Sequence, residues 1–184
     1  AICSLYAYKK PIIVSEGGAS YMDYNTWGDI TDFASDRLYD FYTYLPIKYP
    51  EVRAVYIYDN DRERYRFSLS ANEKYLSAYK RAVSSEDYLS NIENGKYGYY
   101  ELGENTPAEP KNVEISSYIK TVENDIAYVV YRINGADAAT AYAIPYSVNI
   151  DFSKYSNQTV SISALAFNAD GVPRAQKTYN IKVK

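Results

Sequence analysis

Glu16 is the residue whose type and setting could do chemistry. It follows four apolar residues, Pro11, Ile12, Ile13 and Val14, and precedes Gly17 and Gly18. A carboxylate there can act as a nucleophile or as a general acid or base. Without wider context, a Glu at a strand end is an ordinary loop residue. Aromatic side chains gather nearby: Tyr21, Tyr24 and Trp27 in the loop after Glu16, and Tyr58 at the close of the next apolar run. Such rings offer flat apolar area on which sugars stack, and Tyr adds a hydroxyl that needs water or a partner. For Trp27 the alternative is capping the helix that follows, and for Tyr58 it is core packing. The chain has no His and one Cys, which excludes the usual zinc sites and Ser-His or Cys-His catalysis. Asp59, Asp61 and Glu63 alternate as calcium ligands would, but the Gly and bidentate Glu of a calcium loop are missing. They are read as a solvated turn, and neither metal nor cofactor is expected.

The elements that must position these residues fall into two halves. Residues 11–14 read as a strand covered on both faces, broken by Ser15-Glu16-Gly17-Gly18. A helix is predicted over 29–45, with Ile30, Phe33, Ala34, Leu38, Phe41 and Leu45 at helical spacing and Pro46 and Pro50 as its stop. Residues 52–58 (VRAVYIY) form a second strand. Ser70-Ala71-Asn72-Glu73 has the spacing of a capping box before a helix with Leu76, Tyr79 and Val83 on one stripe. Beyond a stretch rich in Gly and Pro, β-branched and aromatic runs predict strands at 113–119, 126–133, 142–150, 160–167 and 177–183. Turns are expected at Asn134-Gly135, Ser156-Asn157 and Asp170-Gly171. Ile126, Tyr128, Val130 and Arg132 share one face of their strand, as do Val160, Ile162, Ala164 and Ala166 of theirs. This pattern argues for an antiparallel sandwich. Asn157-Gln158-Thr159 fits a glycosylation acceptor but reads as part of a turn, and Cys3 reads as a small buried residue.

Charge and hydropathy narrow the partners. There are 20 basic and 23 acidic side chains, a formal net charge of −3, and no basic patch, so no nucleic-acid partner is expected. The longest apolar runs are far shorter than the ~20 residues needed to span a bilayer, so no membrane span is expected. The 24 Tyr against five Phe is unusual. It fits a saccharide-binding or adhesive surface, or Tyr standing in for Phe.

Two resemblances follow from particular motifs. Lys10-Pro11-Ile12-Ile13-Val14-Ser15-Glu16-Gly17-Gly18 resembles the seventh strand of a (β/α)8-barrel glycoside hydrolase, in which a K-P-I-apolar-apolar-S-E-x-G pattern carries the nucleophile. The helix with Tyr42-Thr43-Tyr44-Leu45-Pro46, the strand at 52–58 and Tyr65-Arg66-Phe67-Ser68-Leu69 look like the eighth strand and its surroundings in enzymes similar to family 26, the β-mannanase-like group. Gly17 stands where that family commonly has Phe, and Asp59-Asn60-Asp61 where it often has Trp. Further on, Tyr128 to Gly135, Pro145 to Asp151, Lys154-Tyr155-Ser156-Asn157 and residues 160–171 resemble a bacterial immunoglobulin-like module.

These resemblances imply an α/β plus all-β chain: a partial (β/α)8 barrel made of its last two βα units, then an immunoglobulin-like antiparallel β-sandwich. The boundaries are 1–102 for the barrel segment, 103–111 for the linker and 112–184 for the sandwich. They imply the C-terminal portion of a secreted glycoside hydrolase that cleaves β-mannan or β-glucan by a retaining mechanism. Barrel strands end at the catalytic face, so Glu16 is aimed at the pocket as the nucleophile, with Tyr21, Tyr24, Trp27 and Tyr58 as sugar-binding candidates. In the resembled family the acid/base lies on the fourth strand, which would precede Ala1. The expected partners are therefore a polysaccharide or oligosaccharide and the upstream part of the same barrel, the fragment alone is expected to be inactive, and the location is extracellular or on a bacterial surface. The rival reading is a non-catalytic carbohydrate-binding or cell-surface adhesion protein.

Overall fold

The computed structural model describes residues 10–89, 102 and 108–184, and the chain divides into two compact units, 1–99 and 100–184. Cys3 and residues 103–107 of the expected linker lie outside the described residues.

The first unit runs β1 (Ile12–Gly17), α1 (Thr31–Lys48), β2 (Val52–Ile57), α2 (Glu73–Val83). The two strands pair in parallel, with Ile12 opposite Val52, Val14 opposite Val55 and Gly17 opposite Ile57. Parallel pairing needs a long crossover, and α1 supplies it. It also puts Glu16 and Asp59 at the same end of the sheet, as the sequence implies. The expected break at Ser15 is instead a bulge: the register shifts between Val14 and Gly17, and the strand continues because the Gly17 carbonyl accepts the Tyr58 N–H at 3.0 Å. Neither Gly17 nor Gly18 adopts a positive φ. Gly17 is required for space, since a Cβ there would lie 2.9 Å from the Phe41 ring of α1. That ring fills the room a side chain at position 17 would take.

Helix α1 passes through the expected stop at Pro46 and ends at Lys48. A proline at this position removes the hydrogen bond to the carbonyl four residues back. That carbonyl belongs to Tyr42, and the Tyr88 hydroxyl donates to it at 2.6 Å, restoring the missing bond. The buried face of α1 is Ala34, Leu38, Tyr42 and Leu45, whereas Phe33, placed by its spacing on the apolar stripe, is 62% exposed beneath Arg37. Helix α2 is capped by Asn72 rather than by a Ser70 box: its Oδ1 accepts the Tyr75 N–H at 3.1 Å and its Nδ2 donates to Thr31 Oγ1 at 2.8 Å, joining the two helix starts. The core formed between the helices holds Ala34, Leu38, Tyr42, Leu69, Tyr75 and Ala82, with Val55 and Ile57 of β2 packed against it. Strand alternation turns Tyr56 the other way, and both it and Ile13 are solvent-exposed. Two strands fix the parallel order but not closure into a barrel.

Among its described residues the second unit is all β apart from one 3-10 turn (Ser153–Tyr155): β3 (Val113–Ile115), β4 (Tyr128–Ile133), β5 (Ala136–Ala141), β6 (Val148–Ile150), β7 (Thr159–Phe167) and β8 (Pro173–Lys182). A four-stranded antiparallel sheet of order β5-β4-β7-β8 and a two-stranded antiparallel sheet β3-β6 share one core, the sandwich arrangement the sequence pattern implies. Its largest fully buried side chains include Tyr131, Phe152, Ile181 and Val129. On β4 the core face is Val129, Tyr131 and Ile133, so the row starting at Ile126 and Tyr128 is the opposite one. The face read on β7 is the core face, with Val160, Ile162 and Ala166 buried.

Other elements differ from expectation. Strand β5 has no apolar run to announce it; it exists because Asn134 and Gly135, at φ 50° and 84°, make the two-residue turn that folds Ala136 back opposite Ile133. The expected strand over 142–150 shrinks to Val148–Ile150, because Tyr146, at φ 55°, leaves the extended region; the Ile144–Pro145 peptide is cis. The run at 113–119 pairs only over Val113–Ile115, and β8 begins earlier than expected, at Pro173. Asn157, at φ 61°, sits in the turn before β7. Ala108 pairs in parallel with Val183, donating to the Lys182 carbonyl at 2.9 Å and accepting from the Lys184 N–H at 3.0 Å, so the second unit includes it.

Candidate functional site

At the C-terminal end of the parallel strands lies a cleft of about 340 Å³ lined by Glu16, Gly18, Tyr58, Arg62, Tyr65 and Phe67. Glu16 and Gly18 come from the end of β1, Tyr58 follows β2 directly, and the other three come from the loop between β2 and α2. Glu16 is solvent-exposed on the bulged end of its strand. Its backbone is held by its neighbour, Gly17, whose carbonyl accepts both the Tyr58 N–H and, at 3.5 Å, the Tyr42 hydroxyl. Beside it, the Ala19 N–H donates to the Tyr75 hydroxyl at 2.9 Å.

The loop that brings Arg62, Tyr65 and Phe67 to the cleft is organised by two carboxylates. Asp61 Oδ1 accepts the N–H groups of Phe67 and Ser68 at 2.8 and 2.9 Å, and Asp59 Oδ1 accepts that of Leu69 at 2.8 Å. Arg62 and Tyr65 close a tight turn by exchanging backbone bonds of 2.9 and 2.7 Å. The expectation of a solvated turn at Asp59 and Asp61 is corrected accordingly: these oxygens hold backbone amides that would otherwise lack partners. Among the described residues no group of three His, Cys, Asp or Glu is arranged to hold a metal ion.

The rings form a continuous row. Tyr58 meets Phe67 edge-on at 5.2 Å, Phe67 lies 6.0 Å from Tyr65, and Tyr65 stacks on Tyr24 at 5.4 Å with 22° between planes. Arg62 sits 5.9 Å from the Tyr58 ring centre at one end. Arg64 sits 5.2 Å from both the Tyr24 and Trp27 rings at the other. The loop carrying Tyr24 and Trp27 is pinned by Asp23, whose Oδ1 accepts from the N–H groups of Asn25 and Thr26 and from the Thr26 hydroxyl. These bonds, those from Thr26 foremost, hold the Asp23 carboxyl below its ordinary range. Trp27 is left at φ 58° and is 51% exposed.

Of the residues singled out in the sequence, Glu16 and Tyr58 line the cleft. Tyr24 and Trp27 extend its aromatic row. Tyr21 does not reach it: its ring packs on Tyr75 at 5.3 Å and its hydroxyl donates to the Ser68 carbonyl at 3.3 Å. Burial first, and then the Asp61 carboxylate, raises the Tyr21 hydroxyl above its ordinary value. Sequence reasoning missed Arg62 and Arg64 altogether and met Tyr65 and Phe67 only inside a family motif. The signal was the alternation of Tyr65 and Phe67 just after Asp59-Asn60-Asp61.

Comparison with known proteins adds little to this geometry. No family model matches the chain, and no curated protein matches it. Solved structures with partial likeness include the fibronectin(III)-like modules of Clostridium thermocellum CbhA, at 19% identity and TM-score 0.38 over 46% of this chain and 91% of that one. Another is the endo-β-1,4-mannanase of Thermotoga petrophila, at 10% identity and TM-score 0.37 over 100% of this chain and 41% of that one. A third is the spore cortex lytic enzyme SleM of Clostridium perfringens, at 17% identity and TM-score 0.30 over 41% of this chain and 28% of that one. The chain thus spans less than half of each of these two enzymes. At such scores the likenesses fix neither fold nor function, and the site is read from its own residues. No described helix is long and apolar enough to cross a membrane.

Proposed function

We propose that the first unit is one wall of a glycan-binding cleft in a secreted glycoside hydrolase of β-linked polysaccharides, with Glu16 as the nucleophile of a retaining mechanism. The observation that carries this reading is a carboxylate at the C-terminal end of parallel strands, opening into the same cleft as a row of aromatic rings. Glu16 would attack the anomeric carbon and form a glycosyl ester as the leaving oxygen departs, and water would then release the sugar. Tyr58, Tyr65 and Tyr24 would hold the sugar faces, with Trp27 at the far end. Retention requires a second carboxyl group ~5 to 5.5 Å away, acting as acid and then base. Among the described residues lining the cleft Glu16 is the only carboxylate, so the acid/base is assigned to another part of the protein, the upstream barrel of the family resemblance. The sandwich, which Ala108 already joins through its pairing with Val183, would be a spacer or accessory module outside the cell or on its surface.

That single carboxylate also favours a second reading, a non-catalytic glycan-binding or adhesion protein. One experiment separates the two. A dinitrophenyl β-glycoside carrying fluorine on the sugar's second carbon needs no proton donor for its leaving group, so a nucleophile alone suffices to trap it. The full chain is expected to gain one fluoroglycosyl group on the Glu16 peptide by mass spectrometry, and Glu16→Gln none, with both binding mannan, mixed-linkage glucan or xylan equally in affinity gels. Binding without labelling would support the binder, and neither labelling nor binding would remove the glycan reading.

A further inference from the structure

The proposed function leaves two cations unexplained. Arg62 lines the cleft and Arg64 stands at the end of its aromatic row, both on the tight turn closed by Arg62 and Tyr65. Both are solvent-exposed, and neither forms an ion pair with any described residue, as is also true of Arg53, Arg66 and Arg81; Arg62 and Arg64 are set apart by their place at the cleft and its row. Asp59 and Asp61 are engaged with the backbone of residues 67–69 and Asp23 with its own loop, and Glu63, which lies between the two arginines in sequence, forms no ion pair with either. Each guanidinium is instead packed against a ring, Arg62 on Tyr58 and Arg64 between Tyr24 and Trp27. Ring packing holds a guanidinium in place and leaves its edge N–H groups available, the arrangement that receives a carboxylate by two parallel hydrogen bonds.

Resting on the glycan reading of the same cleft, we propose that its ligand is an acidic glycan, a β-linked chain bearing sugar carboxylates. The rings of Tyr65 and Tyr24 take the sugar faces, and Arg64, with Arg62 at the opposite end of the row, takes the carboxylates. The alternative role for Arg64 is to staple the loop at Tyr24 and Trp27 to the turn at Arg62 and Tyr65, which would support every ligand alike.

The test measures binding of hexamannuronate and mannohexaose to the full chain by calorimetry. These share linkage and ring configuration and differ in the carboxylate at the sixth carbon. Because it can form charge-assisted hydrogen bonds to the guanidinium groups, hexamannuronate is expected to bind roughly tenfold or more tightly, an advantage that shrinks as salt is added. Arg64→Gln is expected to remove most of that advantage while leaving mannohexaose within about twofold, and Arg62→Gln/Arg64→Gln to remove it entirely. Near-UV circular dichroism checks that the aromatic row is intact in each variant. Equal affinity for the two hexasaccharides in the wild type would overturn the acidic-glycan proposal alone and leave the glycan cleft standing. Equal loss of both ligands in Arg64→Gln would overturn it in favour of the staple. Absence of binding by either would overturn the glycan reading as well.

Discussion

The two units solve the burial problem differently. The sandwich seals Val129, Tyr131, Phe152, Ile181 and their neighbours between two sheets that supply core residues from both sides. The βα unit has helices on one face of its two strands and leaves Ile13 at 58% and Tyr56 at 61% exposure on the other, a face that parallel sheets ordinarily keep covered. Its core is tyrosine-rich, and Tyr42, Tyr75 and Tyr88 each use the hydroxyl to complete the backbone. The difference separates a scaffold from a site: both units complete backbone with side-chain oxygens, as Tyr131 and Tyr146 do in the sandwich, but in the first unit those oxygens hold the strand end and the loop around the cleft.

The contrast can be broken by substitution. Phe152→Ala empties a fully buried position and is expected to cost about 3 to 5 kcal/mol, lowering the urea midpoint of the sandwich while the transition of the βα unit stays in place. A shift of both transitions together would make the two cores one cooperative system. Alkali should act in the opposite sense. Burial raises the hydroxyls of Tyr42, Tyr75, Tyr79 and Tyr88 in the first unit, and pushes that of Tyr131 in the second up to about 12. Unfolded tyrosine ionises near 10, so this stability is complete below about 10 and is lost as pH rises through the folded values. The first unit, where four such hydroxyls are gathered around one core, should unfold first in an alkaline titration followed by circular dichroism; loss of the sandwich first would contradict the comparison.

Smaller effects sharpen it. Tyr88→Phe leaves the Tyr42 carbonyl, opposite Pro46, without its donor and is expected to cost the first unit about 1 to 3 kcal/mol in a urea melt, with the second unit unaffected. If the first unit kept its full stability, water or another donor would have to complete α1. Gly17→Ala is milder still: the added methyl must displace the Phe41 ring, at roughly 1 kcal/mol or somewhat more. It is expected to weaken glycan binding at the neighbouring Glu16 more than it lowers thermal stability, and a stability loss with binding intact would detach Gly17 from the site.

Much of this arrangement could be read where apolar runs carry it. Ile12 to Val14, the run at 52–58 and the alternation at Val160, Ile162 and Ala166 all became strands, because an apolar run or alternation is itself the local signal of a strand. Strand β5 could not be read from its Ala, Asp and Thr residues, since the turn at Asn134-Gly135 specifies it from outside. The end of α1 was misread because the compensation for Pro46 comes from Tyr88, far along the chain. The same logic divides the site. Glu16 and Tyr58 were legible as strand ends, but Tyr65 and Phe67 reach the cleft only because Asp59 and Asp61 hold the loop behind them, and a carboxylate spaced like a metal ligand does not reveal that it binds backbone amides.

Trp27 is the chain's one indole, and it stands at the end of the aromatic row against Arg64. Every other ring in the protein is tyrosine or phenylalanine. Light absorbed selectively by the indole is therefore emitted from the site and from nowhere else, with the sandwich dark at that wavelength. A sugar or carboxylate that displaces water or shifts the guanidinium beside this ring will change the colour and yield of its emission, so the protein carries its own optical gauge of cleft occupancy.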